Sequence, residues 1–196
     1  WYLSKKSLKE IWFGKELNEM RKGMQKFRIP DSCRFCATPY YSGDYTNVAA
    51  LAFDYLVPNA NGFPVLMDFS IENTCDLKCI MCDASLSSSI QNENKHKLKT
   101  KDFFNDEEFL LQLEEFIPHL KHAVFTGGEP FLINTYYTIW ERMIKLNPDI
   151  QINITTNGTI WNSKIESLLK KGKFNITISL DSFDKKTYEA IRVGAI

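Results

Sequence analysis

From Val65 onward, segments with strand character alternate with segments of helical character, and few architectures accept that order. Strand candidates lie at Val65–Ile71, Ala123–Thr126, Ile150–Thr156 and Phe174–Asp181. Helix candidates lie near Asp106–Ile117, Thr135–Lys145, Ser163–Lys171 and Lys185–Arg192. A strand followed by a crossover helix, repeated, predicts parallel strands in an α/β fold.

Two of the strands carry further information. In Ile150-Gln151-Ile152-Asn153-Ile154-Thr155-Thr156 the isoleucines share one face, and Gln151, Asn153 and Thr155 share the other. Phe174 to Asp181 repeats the pattern. A parallel sheet covered on both faces needs strands that are nearly all apolar, and a closed eight-stranded barrel packs bulky branched side chains inside. These strands fit neither. They predict helices over one face and a polar concavity on the other, with an open sheet whose second face is simply wet as the alternative.

The chain has five cysteines in two tight groups, Cys33 with Cys36 and Cys75 with Cys79 and Cys82. An odd number closes no disulfide framework, and clustering of every thiol points to metal. The second group follows directly on Met67 to Thr74, at the carboxyl edge of the first strand, where parallel α/β folds place ligands. A structural zinc site wants four donors, whereas three thiolates on one short loop leave a position open. No histidine lies within that loop; His96, His119 and His122 come later. An iron–sulfur cubane held through three of its four irons would instead offer its last iron to a small molecule.

These residues carry a resemblance. The C-x3-C-x2-C spacing after a strand, with Gly127-Gly128-Glu129-Pro130 ending the next strand, resembles the radical S-adenosylmethionine (SAM) superfamily. Thr156-Asn157-Gly158 and Ser179-Leu180-Asp181-Ser182, closing the third and fourth strands, look like that family's cofactor-lining segments. The resemblance covers roughly residues 65–193, and Met81 stands where an aromatic often precedes the last cysteine. It implies a partial parallel (β/α) barrel over residues 65–196, made of the first four β/α units, with a [4Fe–4S] cluster on Cys75, Cys79 and Cys82. It further implies SAM contacts at Met81, Gly127, Gly128, Glu129, Asn157, Ser179 and Asp181. In such a site the two glycines would let backbone approach the methionine moiety, Glu129 would accept from its ammonium, and Asn157, Ser179 and Asp181 would bind the ribose hydroxyls and carboxylate. The family's chemistry is reductive cleavage of SAM to a 5′-deoxyadenosyl radical, which abstracts hydrogen from substrate.

The front of the chain differs. Ser7 and Glu10 make a capping box for a helix over residues 7–27, interrupted near Gly14 and ended by Pro30. Residues 37–64 are rich in aromatics, Gly and Pro without a period and predict an irregular connection. With Cys33 and Cys36, residues 1–64 resemble part of the SPASM or twitch extensions, which implies an auxiliary iron–sulfur cluster; two cysteines cannot hold a whole cluster, and the alternatives are a zinc or a remnant without metal. The polar run Ala84 to Lys101 predicts a mobile solvated loop.

The charge excludes some partners. With 24 Lys+Arg against 24 Asp+Glu in 196 residues, the chain lacks the electrostatic footprint of a nucleic-acid or anionic-lipid binder. Its apolar runs fall far short of the roughly 20 residues that span a bilayer. The expectation is a cytoplasmic oxidoreductase, acting on a small molecule or peptide and served by a reduced flavodoxin or ferredoxin-type donor. The start at Trp1 and the stop just past a helix suggest a piece of a longer protein that turns over poorly alone. The alternative is a non-catalytic iron–sulfur or zinc-binding module with a degenerate barrel. An electron-transfer protein would usually ligate every iron with cysteine.

Overall fold

The computed structural model describes residues 6–93 and 107–195. The chain divides into two compact units, Trp1–Phe63 and Pro64–Ile196.

In the first unit, α1 (Leu8–Trp12) and α2 (Lys15–Met24) are separated at Gly14. Ser7 caps α1 in a capping box with Glu10. The Arg21 guanidinium lies over the Trp12 ring at 4.1 Å and donates to the Trp12 carbonyl, which folds α2 back on α1. The stretch from residue 37 expected to be irregular begins inside a helix, α3 (Arg34–Tyr41), with Cys33 at its N-cap and Cys36 in its first turn. The 3-10 turn Asp31–Cys33 leads straight into it, so helical backbone continues past Pro39 to Tyr41. Further 3-10 turns at Tyr45–Asn47 and Ala49–Phe53 complete the unit.

The second unit is a four-stranded parallel sheet in the order β1 (Leu66–Phe69), β2 (His122–Phe125), β3 (Gln151–Thr156), β4 (Lys173–Ile178). Its helices are α4 (Ser88–Glu93), α5 (Glu107–Glu114), α6 (Asn134–Leu146), α7 (Ser163–Leu169) and α8 (Lys185–Ile191). Each α/β alternation expected from the sequence is present, and the fold is a partial parallel (β/α) barrel. Phe69, Phe125, Ile154 and Ile176 stand in register across the strands. Phe69 stacks on Phe125 at 4.6 Å, and Phe125 meets Tyr136 and Trp140 of α6 edge-on. Ile152, Ile154, Ile165 and Leu168 join this buried layer. Burying each such side chain contributes about 1.5–3 kcal/mol, which makes this face the main source of stability. Arg142 ties α6 to α5 through Glu107 and Glu114, both at 2.6 Å.

The other face is polar. Asp68, Val124, Asn153 and Asn175 are register partners there, and Asn175 donates to Asn153 at 3.1 Å. Strand β4 is half-buried only at Phe174 and exposed elsewhere, with Ile178 62% exposed.

The run Ala84–Lys101 departs from the loop expectation, because Ser88–Glu93 is helical and its serines bond to the cysteine loop. His96, the remainder of that run and the expected helix start at Asp106 lie outside the described residues.

Candidate active site

Residues 70–82 leave β1 as a loop that the protein holds from several sides. At its root, the Tyr136 hydroxyl accepts the Ile71 N–H at 3.2 Å and shares its proton between the carbonyls of Phe69 and Thr126, 2.9 and 2.7 Å away. This one buried side chain joins the ends of β1 and β2, and burial pushes its phenol well above the ordinary range. Around the cysteines, Ser88 and Ser89 donate to the Cys75 carbonyl, Ser88 also accepts the Cys75 N–H, and Ser87 donates to the Leu77 carbonyl at 2.6 Å. On the far side the Lys78 and Ile80 N–H groups donate to the carbonyls of Val193 and Ile191. The loop is thus stitched both to α4 and to the segment that ends α8.

Glycines set its distance from β2. Gly127 and Gly128 have φ of +75° and +54°, the left-handed region in which a side chain is strained. A Cβ on Gly128 would lie 2.3 Å from the Thr74 carbonyl oxygen, and one on Gly127 would lie 2.4 Å from Ser70 Oγ. The space these glycines leave is therefore filled by the cysteine loop itself, whereas the sequence reading assigned it to a ligand.

Cys75, Cys79 and Cys82 line one cavity of about 180 Å³ together with Gly127, Gly128, Asn157, Ser179 and Arg192. Among the described residues no three His, Cys, Asp or Glu side chains converge as ligands of a single metal ion. Three soft donors spread around a shared space suit an iron–sulfur cluster better than one ion. Burial pushes the Cys75 and Cys82 thiols up, and Cys79 beside Cys82 adds to that. The Asp76 carboxylate, which accepts from Asn157 and Thr159 at 2.8 and 2.6 Å, stands next to Cys75.

Three of the residues expected to touch a cofactor are placed differently. Glu129 is 1% exposed, and its carboxylate accepts from the Phe131 N–H, the Thr156 hydroxyl and the Asn157 N–H at 3.1, 2.7 and 2.7 Å. It braces the ends of β2 and β3, with most of its lone pairs used within the chain. Burial raises its carboxyl above the ordinary range against those hydrogen bonds. Met81 is 54% exposed and stands outside the cavity lining, because the turn at Cys79–Cys82 directs it to the surface. Asp181 is taken by Arg192, whose Nε lies 2.5 Å from its carboxylate.

Sequence reasoning missed Tyr136, Asp76, Arg192 and the serines Ser87 to Ser89. The close run of serines just after the cysteines was a usable signal for a hydrogen-bonding collar. Tyr136 occupies a core position of α6, and only its hydroxyl distinguishes it there.

A thiol-bearing loop at the carboxyl edge of a parallel sheet, walled by the ends of the next strands, defines a ligand-binding α/β protein. Residues 69–196 match the Radical SAM superfamily, and the chain belongs to it. That family implies a [4Fe–4S] cluster and SAM, and the three-thiol cavity fits such a group. The chain is 29% identical over 159 residues to the GTP 3′,8-cyclase of Corynebacterium glutamicum (strain R), covering 73% of this chain and 40% of that protein. It is 31% identical over 122 residues to the GTP 3′,8-cyclase of Clostridium acetobutylicum, covering 62% of this chain and 36% of that protein. It thus spans about two fifths or less of the length of these curated relatives. The crystal structure of Streptococcus suis SuiB bound to S-adenosylmethionine is similar with a TM-score of 0.48 and 22% identity, over 92% of this chain and 39% of that one. Among the described residues no helix is long and apolar enough to cross a membrane.

Proposed function

We propose that this chain is the cluster-bearing part of a radical SAM enzyme that abstracts hydrogen from a small-molecule or peptide substrate. The observation that carries this reading is the meeting of Cys75, Cys79 and Cys82 with Gly127, Gly128, Asn157 and Ser179 around one cavity at the sheet's carboxyl edge. Cys75, Cys79 and Cys82 hold the cluster. When bound, the reduced cluster supplies the electron that cleaves SAM to methionine and a 5′-deoxyadenosyl radical. The Ser179 hydroxyl and the second amide proton of Asn157, whose side chain otherwise bonds to Asp76 and Thr159, line the cavity as hydrogen-bonding groups for the cofactor's polar atoms, while Glu129 acts through the backbone it braces. Gly127 and Gly128 let the cysteine loop close against the end of β2. Asp181 and Met81 serve SAM only through the segments they belong to. A reduced flavodoxin or ferredoxin-type protein supplies the electron.

In the first unit, Cys33 and Cys36 border an apolar cavity of about 330 Å³ with Met24, Phe27, Tyr40 and Val48. They are the thiol donors this unit offers to an auxiliary cluster or a zinc, and either metal needs further ligands to close its shell.

Electron paramagnetic resonance on anaerobically reconstituted, dithionite-reduced protein tests the main site. A reduced-cluster signal that changes on adding SAM is the expected result. A signal indifferent to SAM, or zinc as the sole bound metal, would favour a non-catalytic metal module.

A further inference from the structure

Arg192 is the C-cap residue of α8, and its guanidinium reaches into the cysteine cavity. Nη1 lies 3.8 Å from the Cys79 sulfur, and Nε lies 2.5 Å from the Asp181 carboxylate. The Arg192 side chain is only 14% exposed and Cys79 only 5%. Backbone bonds hold the contact from both sides, since Ile80 N–H donates to the Ile191 carbonyl and Lys78 N–H to the Val193 carbonyl. The fork of the guanidinium lets one edge face the carboxylate while another faces the sulfur, a geometry that an ammonium cannot copy. Apart from the cysteines, no other charged side chain lines the cavity among the described residues.

Resting on the reading of Cys75, Cys79 and Cys82 as cluster ligands, we propose that the Arg192–Asp181 pair sets the reduction potential of the cluster by donating a charge-assisted hydrogen bond to the Cys79 sulfur. Reduction adds one negative charge to the cluster and its thiolates. Hydrogen bonds to the sulfurs, net charge and solvent exposure are the levers that tune such centres. A guanidinium stays protonated at every accessible pH, so its stabilisation of the reduced form persists throughout. Its partial burial limits the screening that weakens surface charges. Asp181 aims the fork, making it a positioning residue whose effect passes through Arg192.

The test is reductive potentiometry on the reconstituted full chain without SAM, followed by electron paramagnetic resonance, with iron and sulfide counted in parallel. Arg192→Gln removes the charge while keeping a hydrogen-bonding side chain. Its reduced-to-oxidised ratio at a fixed poise is expected to fall at least tenfold, which is about 59 mV for a one-electron couple. Arg192→Lys keeps the charge without the fork and is expected to recover only the part of that loss that charge alone supplies, leaving a shift between those of wild type and Arg192→Gln. A merely structural residue would change how much cluster loads but not the ratio within the loaded fraction. A residue that only grips SAM would shift the titration only when SAM is present. Wild-type titration of Arg192→Gln, equal shifts in the Gln and Lys variants, or complete failure of both variants to load would each overturn the proposal. Wild-type protein that takes up no iron and sulfide would overturn the cluster assignment itself, and this inference with it.

Discussion

The Glu129 carboxylate accepts the Asn157 backbone N–H at 2.7 Å, so a buried acid spans the gap between the end of β2 and the end of β3. Both strand ends line the cysteine cavity, and this bond fixes their separation.

Replacing Glu129 with Gln places an NH2 group where one carboxylate oxygen accepted, and it strands a donor among the Phe131, Thr156 and Asn157 partners. The expected cost is about 1–3 kcal/mol in urea unfolding. The variant also tests the pH dependence. Because burial raises the Glu129 carboxyl above its ordinary 4.5, the fold binds the proton better than the unfolded chain does. Its contribution is therefore complete below about pH 4.5 and is lost as pH rises through the raised folded value. The difference in stability between wild type and Glu129→Gln should shrink across that window. A difference that grows with pH would show that the hydrogen bonds outweigh burial.

Tyr136→Phe keeps the ring against Phe125 but removes the hydroxyl that serves Ile71, Phe69 and Thr126. The Phe69 carbonyl keeps the Thr126 N–H at 2.9 Å, but the Ile71 N–H and the Thr126 carbonyl lose the hydroxyl, and a backbone group that loses its partner costs about 1–3 kcal/mol, which in a chain of this size lowers the Tm by about 2–4 °C per kcal/mol. The root of the cysteine loop loosens at the same time, so iron uptake on reconstitution should fall. Calorimetry together with an iron assay reads both effects, and an unchanged Tm would remove Tyr136 from the support of the loop.

Gly128→Ala has no neutral option. The new methyl would lie 2.3 Å from the Thr74 carbonyl oxygen, and backbone atoms of Asn73 and Thr74 sit at 2.9 Å. No side-chain rotation relieves a contact with backbone. The positive φ of Gly128 adds about 1–2 kcal/mol for a residue with a Cβ. The expected outcome is protein with a lowered Tm and little bound iron. Normal iron content in a folded Gly128→Ala chain would show that the cysteine loop tolerates displacement from β2.

Much of this architecture was legible in the sequence because two periods are written in it. The isoleucines of β3 mark the buried face, the intervening Gln151 and Asn153 mark the other, and the strand–helix alternation implies parallel pairing without any long-range information. The three cysteines and the paired glycines likewise announce a loop and a tight approach. Contacts that depend on which atoms meet across long sequence separations were not legible. Arg192 meets Cys79 across 113 positions, and Glu129 meets Asn157 across 28. A motif reading treats Glu129 and Asp181 as polar groups awaiting a ligand, yet the fold spends both on its own chain. Helix α3 escaped notice because aromatic residues and Pro39 obscured a short helix that begins in the preceding 3-10 turn.

The two cysteine groups separate under substitution. Cys79 is buried, shares its cavity with Cys75 and Cys82, and carries the Arg192 contact, whereas Cys33 caps α3 and Cys36 lies in its first turn, in the other compact unit. Cys79→Ala removes one of three thiolates from a loop that has no substitute donor among the described cavity residues. Iron and labile sulfide at the main site should therefore be lost while the chain remains folded by circular dichroism, since trimming a small side chain leaves the aromatic layer under the sheet intact. The Cys33→Ser/Cys36→Ser double variant should keep that iron and its paramagnetic signal, and lose only the metal, iron or zinc, that an auxiliary site contributes. Metal analysis of the two variants beside wild type reads both results at once. Full iron content in Cys79→Ala would remove the cluster from Cys75, Cys79 and Cys82, and loss of the main signal in the double variant would move it to the first unit.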